Sequence, residues 1–433
     1  MNFDFKIKKK MWKWSNDLFP ICRSITGPGV RITLNYIKKI IPDLKIFAVK
    51  SGKKVFDWKV PDEWQIQDGY ILDHNGKKVV DFKKNNLHVV GYSEPVNKKI
   101  KFHDLDKHIF SIPKMPNAIP YVTSYYNKTW GFCMSHKQRL HLKKNKNFFR
   151  VVIKSKLIKG SLNYGEIIIP GLTKKEVFLS TYVCHPSLAN NELSGPVVTT
   201  AITEWINSLK NKYYTYRIVF IPETIGSIIY IHKNLPKLKK NVIAAFNVSC
   251  VGDNKSYSYL ESKYKNTLSD KISIKTLETL KLKYKKFNFY EHRGSDERQY
   301  SSPGVDLPFC SLMRTKYGEY KEYHTSKDNL SFISPDGLLG GYNVLKTAIK
   351  ILEINKNYIA VNKCEPHLSK RNLKNSLGGS KMEPSLKILA NILAYADGKN
   401  DLIDLSNMFK TNIFLINDKI QLLKKLKLIK THK

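Results

Sequence analysis

The sequence predicts an α/β protein in which a mostly parallel sheet is flanked by helices, with an inserted small β-rich domain and a C-terminal winged-helix domain. Three observations lead to this prediction. Apolar runs of strand length recur across residues 149–252, with a helix-like stretch at 196–209 between two of them, and a strand, crossover helix, strand order implies parallel pairing. Short alternating runs fill residues 54–145, and helical patterns fill the C-terminal tail.

The domain boundaries follow from the places where these patterns change. A helix is predicted to begin near Val30, because apolar residues at helical spacing follow the turn TGPGV. This helix belongs to the first segment of the α/β domain, which the β-rich insertion then interrupts. We expect residues 1–53 and 146–360 to form the α/β domain, residues 54–145 the inserted domain and residues 370–433 the winged-helix domain.

The inserted domain contains a hairpin signal. In ILDHNGKKVV, Asn75 and Gly76 lie between two apolar runs, and a two-residue turn of this kind needs positive φ at both central residues. An aromatic-rich segment from Tyr121 to His136 follows. Its rings either line a cleft or pack the insertion against its neighbour, and packing is favoured.

Five apolar runs are predicted as buried strands of the α/β domain: RVVIKSKLI, GEIIIPG, EVFLSTYV, YRIVFIP and NVIAAFNVSCVG. Ligands of open α/β sheets bind at the carboxyl ends of the strands. Residues that directly follow these runs are therefore the first candidates for chemistry.

The tail from about Leu377 contains three helical patterns separated by short turns, and its last helix is rich in lysine. This arrangement is typical of a winged-helix or helix-turn-helix module. Such modules bind DNA, or they serve in packing and dimerisation. The tail carries no clear base-reading signature, so nucleic acid is not an expected partner.

The composition limits the class of protein. A formal net charge of +38 would suit a polyanionic partner, but the lysines are spread over every region, so a solvated basic surface is favoured. The six cysteines are far apart and mostly lie in apolar runs, which indicates free thiols in a reducing compartment rather than a zinc knuckle. No apolar run has the length of a membrane span, so we expect a cytoplasmic protein without a membrane partner.

Polar side chains follow several of the predicted strands. His185 comes after EVFLSTYVC and before Pro186, and the next segment supplies amides and one carboxylate, Glu192. Glu223 follows YRIVFIP, where a carboxylate can ligate zinc, act as a general base or cap the next helix. Asp253 follows AAFNVSCVG, and there turn formation and metal ligation are equally open.

Two loops later in the chain add further candidates. His324 lies in YHTSKDNL, where neighbouring hydroxyl and carboxylate groups can hold the imidazole rigid. In GSDERQY, the side chains of Asp296, Glu297 and Arg298 can bind the amine and the carboxylate of a substrate. An exposed loop of salt bridges is the alternative for this segment.

Four segments, in the order CHPSLANNELSG, PETIGS, GSDERQY and YHTSKDNL, are similar to the zinc-dependent aminopeptidase group that includes bacterial leucyl aminopeptidases and glutaminyl cyclases. Over nearly its full length the chain resembles a bacterial family described as aminopeptidase-like, often found near polysaccharide-biosynthesis genes, with an inserted β domain and a C-terminal winged helix. LFPICRSITGPGV, VFDWKVPDEW, NLHVVGYSEPV and IPYVTSYY carry this second resemblance. The motifs are specific as a set, whereas no single motif is.

The resemblance implies roles for individual residues. His185 takes the place of the first zinc histidine of the aminopeptidases, and His324 takes the place of the last. Glu223 falls where those enzymes have two adjacent glutamates, one a ligand and the other the base. The single glutamate of this chain is therefore expected to serve as ligand or as base.

The chain departs from the two-zinc pattern at two places. The bridging aspartate is expected just before the SGP segment, but Asn190, Asn191 and Glu192 occupy those positions. In the NVSCVG strand, Ser249 stands where an aspartate is expected, which leaves Asp253 as the nearest acid. A neutral amide lacks the anionic oxygen that offsets the charge of zinc. We therefore expect one zinc ion rather than two, completed by Glu192 or Asp253.

Together these features predict a zinc hydrolase that cleaves an amide bond in a small aminoacyl or amidated sugar substrate or a short peptide, with a link to surface polysaccharide biosynthesis. His185 and His324 would hold zinc, Glu223 would be ligand or general base, and Asp296 and Arg298 would orient the substrate. Two alternatives stay open: a catalytically altered binding or assembly protein with the peptidase fold, and a winged-helix regulator associated with DNA. A homo-oligomer is also left open.

Overall fold

The computed structural model of the protein describes residues 3–371, 373 and 383–432. Leu377, where the helical pattern of the tail was predicted to begin, lies outside the described residues. The chain divides into two compact units. The first comprises Met1–Asp270 and Lys283–Leu345, and the second comprises Lys271–Leu282 and Lys346–Lys433.

Strands and α-helices both occur along the described chain. The strands are β1 (Lys45–Lys50), β2 (Lys54–Val55), β3 (Trp58–Lys59), β4 (Glu63–Leu72), β5 (Lys78–Asp81), β6 (Val96–Lys101), β7 (Ile109–Phe110), β8 (Phe132–Cys133), β9 (Phe148–Ile158), β10 (Ser161–Ile169), β11 (Glu176–Tyr182), β12 (Thr215–Ile221), β13 (Val242–Asn247), β14 (Ser258–Leu260), β15 (Lys285–Phe287), β16 (Phe309–Met313), β17 (Asn357–Ala360), β18 (Asp397–Asp401) and β19 (Ile429–Thr431). The helices are α1 (Phe3–Leu18), α2 (Pro28–Ile40), α3 (Phe102–Leu105), α4 (His136–Lys143), α5 (Ser194–Ser208), α6 (Ile225–Asn241), α7 (Leu268–Thr279), α8 (Phe289–His292), α9 (Glu297–Tyr300), α10 (Pro335–Ile354), α11 (Pro384–Ala394), α12 (Leu402–Met408) and α13 (Ile413–Lys425).

The first unit is built on an eight-stranded sheet with the strand order β1–β10–β12–β11–β13–β16–β14–β15. The central strands β12, β11, β13 and β16 pair in parallel, whereas β1, β10 and β14 form antiparallel pairs towards the two edges. Every residue of β11 is buried, as expected for a strand covered on both faces. The α/β prediction is confirmed, with a parallel centre and mixed edges.

A separate four-stranded antiparallel sheet, ordered β5–β4–β9–β6, forms the inserted domain. The run RVVIKSKLI was predicted to belong to the main sheet, but it lies in β9, which pairs with β4 and β6. Lys154 and Lys156 are exposed on either side of buried Ser155, and such alternation is typical of an antiparallel sheet with one face in water. The insertion therefore extends to Ile158, beyond the predicted boundary at residue 145.

The predicted hairpin is present between β4 and β5, but its turn is longer than two residues. Asp73 lies at its start and accepts the backbone N–H groups of Asn75 at 3.0 Å and Lys77 at 2.9 Å. Gly76 has a φ of 77°, whereas Asn75 stays outside the left-handed region. Because a side chain satisfies the turn, only the glycine needs positive φ.

The second unit combines a three-stranded antiparallel sheet, ordered β18–β17–β19, with α11, α12 and α13. This is the winged-helix arrangement that the tail pattern predicts. Asp401 and Asp404 form a capping box at the start of α12. The first strand of the module, β17, begins at Asn357, so the module starts earlier than the predicted residue 370.

Two expectations from composition can be compared with the structure. In the part of the chain that the structure describes, no helix has the length and apolar character of a transmembrane span. The six cysteines are free, and Cys133, Cys184, Cys250 and Cys310 are buried. The interpretation of these residues as buried thiols is thus consistent with their positions.

Candidate metal centre

The parallel pairing of β11 and β12 brings His185 and Glu223 to the same edge of the sheet. The two strands pair from Glu176 and Thr215 to Tyr182 and Ile221. Each functional residue follows the carboxyl end of its strand, where parallel sheets present ligand sites. The Nε2 atom of His185 lies 3.6 Å from Oε2 of Glu223.

The loop before α10 adds His324 to this pair. The centroid of its ring lies 5.5 Å from that of His185, with an angle of 39° between the planes. Tyr323 stacks on His324 at 3.9 Å. Tyr121, from the aromatic-rich segment of the insertion, contacts both imidazoles with centroid distances of 5.2 Å. The structure therefore brings together the three residues on which the metal-site prediction depends.

Two residues of this site adopt the left-handed backbone conformation, which residues other than glycine rarely adopt. His324 has a φ of 53° and Thr224, next to Glu223, has a φ of 63°. A non-glycine residue in this region costs on the order of 1 kcal/mol or more. The N–H of Tyr121 donates to the carbonyl of His324 at 2.8 Å, and the N–H of Thr224 donates to Asp296 at 2.8 Å. These bonds hold the strained residues in place.

The Nδ1 side of His185 is fixed by a buried ion pair. His185 Nδ1 lies 2.8 Å from Glu192 Oε2, and because a carboxylate only accepts, Nδ1 carries the proton. Arg23 Nε lies 3.5 Å from Glu192 Oε1 and also donates to the carbonyl of His185 at 3.0 Å. Glu192 was predicted as a ligand, but its carboxylate contacts the side of the ring opposite Nε2. It orients the imidazole instead.

Asn191 occupies the position next to His324. Its Nδ2 donates to the hydroxyl of Tyr182 at 2.8 Å, and that hydroxyl donates to the carbonyl of Asn191 at 2.8 Å. This pair of bonds turns Oδ1 of Asn191 towards Nε2 of His324, at 3.2 Å. A neutral amide oxygen therefore faces the cleft where the sequence comparison led us to expect a carboxylate.

The protonation of the two imidazoles differs. Burial and the neighbouring His185 lower the pKa of His324 to about 3, so this ring is neutral at physiological pH. Burial alone would lower the pKa of His185, but the hydrogen bond to Glu192 and the charges of Glu192 and Glu223 raise it above its ordinary value. The acids around His185 thus favour a positive charge, and a metal ion binding at Nε2 would displace the proton.

These donors can be tested against the geometry of zinc. Tetrahedral ligands about 2.1 Å from an ion lie about 3.4 Å apart, and two imidazoles bound in this way place their centroids about 5 Å apart. The observed 3.6 Å between His185 Nε2 and Glu223 Oε2 and 5.5 Å between the rings of His185 and His324 are close to these values. Two imidazoles and one carboxylate are a known catalytic zinc set with an open fourth position. These two distances are therefore compatible with one zinc ion between the three side chains.

A second group of potential ligand atoms lies nearby. Cys184 Sγ, His185 Nδ1 and a Glu192 oxygen lie within 4.8 Å of one another. Nδ1 and the carboxylate already bond directly, which leaves no space for an ion between them. Burial and the charges of Glu192 and Glu223 raise the pKa of the Cys184 thiol well above its ordinary value, whereas a metal requires the thiolate. This group does not fit a metal.

Asp253 makes contacts away from the imidazoles, so the geometry gives no support to its predicted ligand role. Its carboxylate is fully buried and accepts four hydrogen bonds: from Asn190 Nδ2 at 3.0 Å, Lys255 N–H at 2.8 Å, Thr315 N–H at 2.9 Å and the Thr315 hydroxyl at 2.6 Å. A carboxylate has about four lone-pair sites. The group is therefore used in fixing the turn that follows β13.

The GSDERQY loop separates into buried and exposed residues. Asp296 is fully buried, and its Oδ1 accepts from the Thr224 N–H and the Ser227 hydroxyl, each at 2.8 Å. Burial and the charge of Glu223 raise the pKa of Asp296 to about 8. A direct contact between this carboxylate and a substrate, as predicted, is not supported by its position beneath the turn after β12. Glu297 is also buried and accepts the N–H groups of its own loop.

Arg298 remains at the surface of the site. It is exposed, and its Nη2 donates to the hydroxyl of Thr224 at 3.0 Å. Burial raises the pKa of Glu223, and the charges of His185 and Arg298 oppose this rise. The role of Arg298 in orienting a substrate therefore stays a prediction that the geometry allows.

Three residues that shape the site were not identified as functional from the sequence. Arg23 was seen only as part of LFPICRSITGPGV, and Tyr121 as one of a group of aromatics for which packing was favoured over lining a cleft. Asn191 was considered only as the loss of an aspartate. The signal for Arg23 was available, because a charged side chain within a short apolar segment has to find a buried partner.

The geometry can now be compared with known proteins. Residues 12–355 match the model of a family described as a domain of unknown function, DUF4910. The chain belongs to this family. Residues 356–431 of this family member match a winged helix-turn-helix model, in agreement with the second unit.

Relatives extend the match over nearly the whole chain. A Clostridium acetobutylicum protein, provisionally named a polysaccharide biosynthesis protein with aminopeptidase-like domain, is 45% identical over 392 residues, which cover 90% of this DUF4910 chain and 89% of the relative. A crystal structure from Clostridium acetobutylicum, provisionally described as a peptidase, has a TM-score of 0.92 at 40% identity and covers 99% of this chain and 97% of its own.

More distant structures show the fold alone. The zinc aminopeptidase of Bacillus subtilis has a TM-score of 0.58 at 12% identity, covering 80% of this chain and 94% of its own. A peptidase precursor from Shewanella amazonensis has a TM-score of 0.55 at 14% identity, covering 84% of this chain and 97% of its own. The aminopeptidase-like resemblance and the winged helix are confirmed at the level of family and fold.

Proposed function

We propose that this protein is a hydrolase that uses one zinc ion, held by His185, His324 and Glu223, to cleave an amide bond in a small aminoacyl or amidated sugar substrate. The observation that carries the proposal is the convergence of two imidazoles and one carboxylate at the carboxyl ends of β11 and β12 and in the loop before α10. The zinc aminopeptidase fold of distant relatives supports this assignment.

Each residue around the proposed zinc ion would have its own role. Zinc bound there would act as a Lewis acid on the amide carbonyl and on water. Glu192 accepts the Nδ1–H of His185, which leaves Nε2 as the ring nitrogen for the ion. His324 offers a neutral imidazole because its pKa is about 3. Tyr121 packs on both rings and limits their rotation.

Proton transfer would fall to the acids beneath the cleft. Burial raises the pKa of Glu223 and raises the pKa of Asp296 to about 8. A carboxyl group whose pKa lies nearer neutrality accepts and returns a proton more readily than an ordinary one. Within the described residues, Asp296 Oδ2 is buried without a hydrogen-bond partner. Asp296 therefore suits the transfer of a proton, because this proposal assigns Glu223 to the zinc ion.

The surface of the site and the name of one relative support the proposed substrate class. Arg298 is exposed there and suits an anionic group. The Clostridium acetobutylicum relative is provisionally named for polysaccharide biosynthesis, which supports an amidated sugar. Free and mostly buried cysteines support action in a reducing compartment such as the cytoplasm.

The proposal is tested by hydrolysis. Protein stripped with a chelator and reloaded with one equivalent of zinc is incubated with a panel of aminoacyl amides and N-acylated amino sugars, and product release is followed by mass spectrometry. We expect cleavage that needs zinc and that falls at least about 100-fold in Glu223→Gln. The exposed Glu319→Gln is the matched control, with unchanged activity. If zinc does not bind and no substrate in the panel is cleaved, the protein is a binding or assembly protein instead.

A further inference from the structure

A groove on the inserted domain lies outside the metal centre. It has a volume of about 650 Å³ and runs between the loop that carries Tyr125 and Tyr126 and residues 156–159, at the end of β9 and directly after it. Sites for small molecules usually have volumes of roughly 300–1,000 Å³. The groove is therefore large enough to hold one or two sugar rings.

Exposed aromatic rings form one side of this groove. Tyr126 is 50% exposed and Tyr125 is 39% exposed. The hydroxyl of Tyr126 donates to the carbonyl of Lys59 at 2.7 Å, and Trp58, which is 39% exposed, contacts the Tyr126 ring with a centroid distance of 6.4 Å. Isolated exposed aromatics are common, but adjacent rings that are held in place offer a stacking surface. The apolar C–H face of a pyranose ring packs on such a surface.

Positive charge lines the same groove. Its lining includes four lysines, Lys59, Lys128, Lys156 and Lys159, and two acids, Asp62 and Glu94. Lys159 is paired with Asp62 at 2.6 Å, whereas Lys128 and Lys156 form no ion pair within the residues that the structure describes. The groove therefore favours a ligand that carries negative charge.

Tyrosines connect the groove to the metal centre. Tyr92 and Tyr125 line the groove and also a narrow cavity of about 20 Å³, whose lining includes Tyr121 and Arg23. Tyr121 contacts both His185 and His324. The groove and the narrow cavity thus share two tyrosines, and Tyr121 of the cavity contacts two of the proposed zinc ligands.

The geometry points to this groove as the binding site for an anionic sugar, either a uronic acid residue or a sugar phosphate. The sugar ring stacks on Tyr126, and the anionic group is bound by Lys128 and Lys156. Binding in the groove itself requires neither zinc nor catalysis.

The test uses the full-length protein without metal, so that its result is independent of hydrolysis. Binding of a galacturonic acid tetramer, glucose 1-phosphate and neutral maltotetraose is measured by calorimetry and saturation-transfer NMR. We expect at least one anionic probe to bind about tenfold more tightly than maltotetraose, and the stronger of the two anions identifies the source of the charge. Tyr126→Ala should weaken that binding about tenfold.

Matched variants decide whether the groove is responsible. Lys156→Ala should lower the affinity for the anionic probe severalfold. Lys154→Ala on the same strand and the exposed Tyr290→Ala should leave this affinity unchanged. Equal binding of neutral and anionic probes, equal losses in the control variants, or absence of binding would overturn the proposal. Displacement of every sugar by single-stranded polyuridylate that binds through Tyr126 and Lys156 would also overturn it, in favour of a nucleic-acid site. If the anionic probe binds in the groove but the protein does not bind zinc, the proposed hydrolase function is contradicted and the proposed sugar site is not.

Discussion

Glu223 and Asp253 both follow parallel strands of one sheet, yet their carboxylates have different surroundings. Oε2 of Glu223 lies 3.6 Å from an imidazole nitrogen, and the side chain is 20% exposed. Asp253 is fully buried and accepts four hydrogen bonds from the loops around it. The position after a strand brings an acid to the functional edge, but neighbouring donors decide whether it is available to a cation. Four substitutions test this difference through one quantity, the affinity for zinc.

The largest effect is expected from His324→Ala, which removes a proposed ligand. Loss of a residue that only orients a ligand typically costs 10–100-fold in metal affinity, so loss of the ligand itself should cost more than about 100-fold. Competition with a chromogenic chelator gives the affinity. The exposed His232→Ala is the control and should bind zinc normally. An unchanged affinity in His324→Ala would remove this histidine from the site.

Glu192→Gln should have the next largest effect. Glu192 holds the Nδ1–H of His185 at 2.8 Å and does not face Nε2, so we expect zinc affinity to fall about 10–100-fold with the stoichiometry unchanged. Glu204→Gln, on α5, is the matched control. If Glu192→Gln abolished binding as completely as His324→Ala, the carboxylate would have to be a direct ligand, contrary to the geometry.

Asn191→Asp should act in the opposite direction. Oδ1 of Asn191 lies 3.2 Å from Nε2 of His324, so a carboxylate there would add an anionic ligand beside the ion. We expect zinc to bind about tenfold more tightly, since anionic oxygen offsets the charge of the metal better than an amide does. Asn190→Asp, whose side chain contacts Asp253, serves as the comparison and should not tighten binding. Weaker binding in Asn191→Asp would show that the amide does not face the ion.

Asp253→Asn should have the smallest effect on zinc and a clear effect on stability. Zinc affinity should stay within about twofold, because the carboxylate is outside the centre. The free energy of unfolding, measured with urea, should fall by about 2 kcal/mol, since the buried acceptor loses charge-assisted bonds. Asp336→Asn, which breaks a surface ion pair with Lys8, should cost less than about 1 kcal/mol. A large loss of zinc affinity in Asp253→Asn would reverse the comparison between the two acids.

Much of the site could be predicted from the sequence. His185 and Glu223 follow continuous apolar runs, and such runs indicate neighbouring parallel strands whose ends meet at one edge. This argument needs only the order of strands and helices. It predicted that His185 and Glu223 lie close together, although it does not fix the distance between any two atoms.

The roles of Asn191 and Glu192 could not be predicted in the same way. Residues Ala189–Leu193 form a π-helical turn, which is wider than an α-helical turn and rotates each side chain away from its expected direction. Asp328 holds this turn by accepting the N–H groups of Asn190 at 2.6 Å and Asn191 at 3.0 Å. Asp328 is far from this turn in the sequence. Its contact helps to place the Asn191 amide next to His324 and the Glu192 carboxylate next to Nδ1 of His185.

A similar reason explains the assignment of β9. Its sequence is apolar enough for the main sheet, and the alternation at Lys154 and Lys156 is the local sign of a strand with one wet face. Pairing with β4, which is far away in the chain, then determines the sheet. Strand content was therefore predictable at this place, whereas strand partnership was not.

Anomalous diffraction at the zinc K edge from crystals of the zinc-loaded protein tests the central claim most directly. We predict one peak per chain, bonded to Nε2 of His185, a ring nitrogen of His324 and the carboxylate of Glu223. The absence of a peak at this position, or a peak bonded to Cys184, Glu192 or Asp253, would contradict the account.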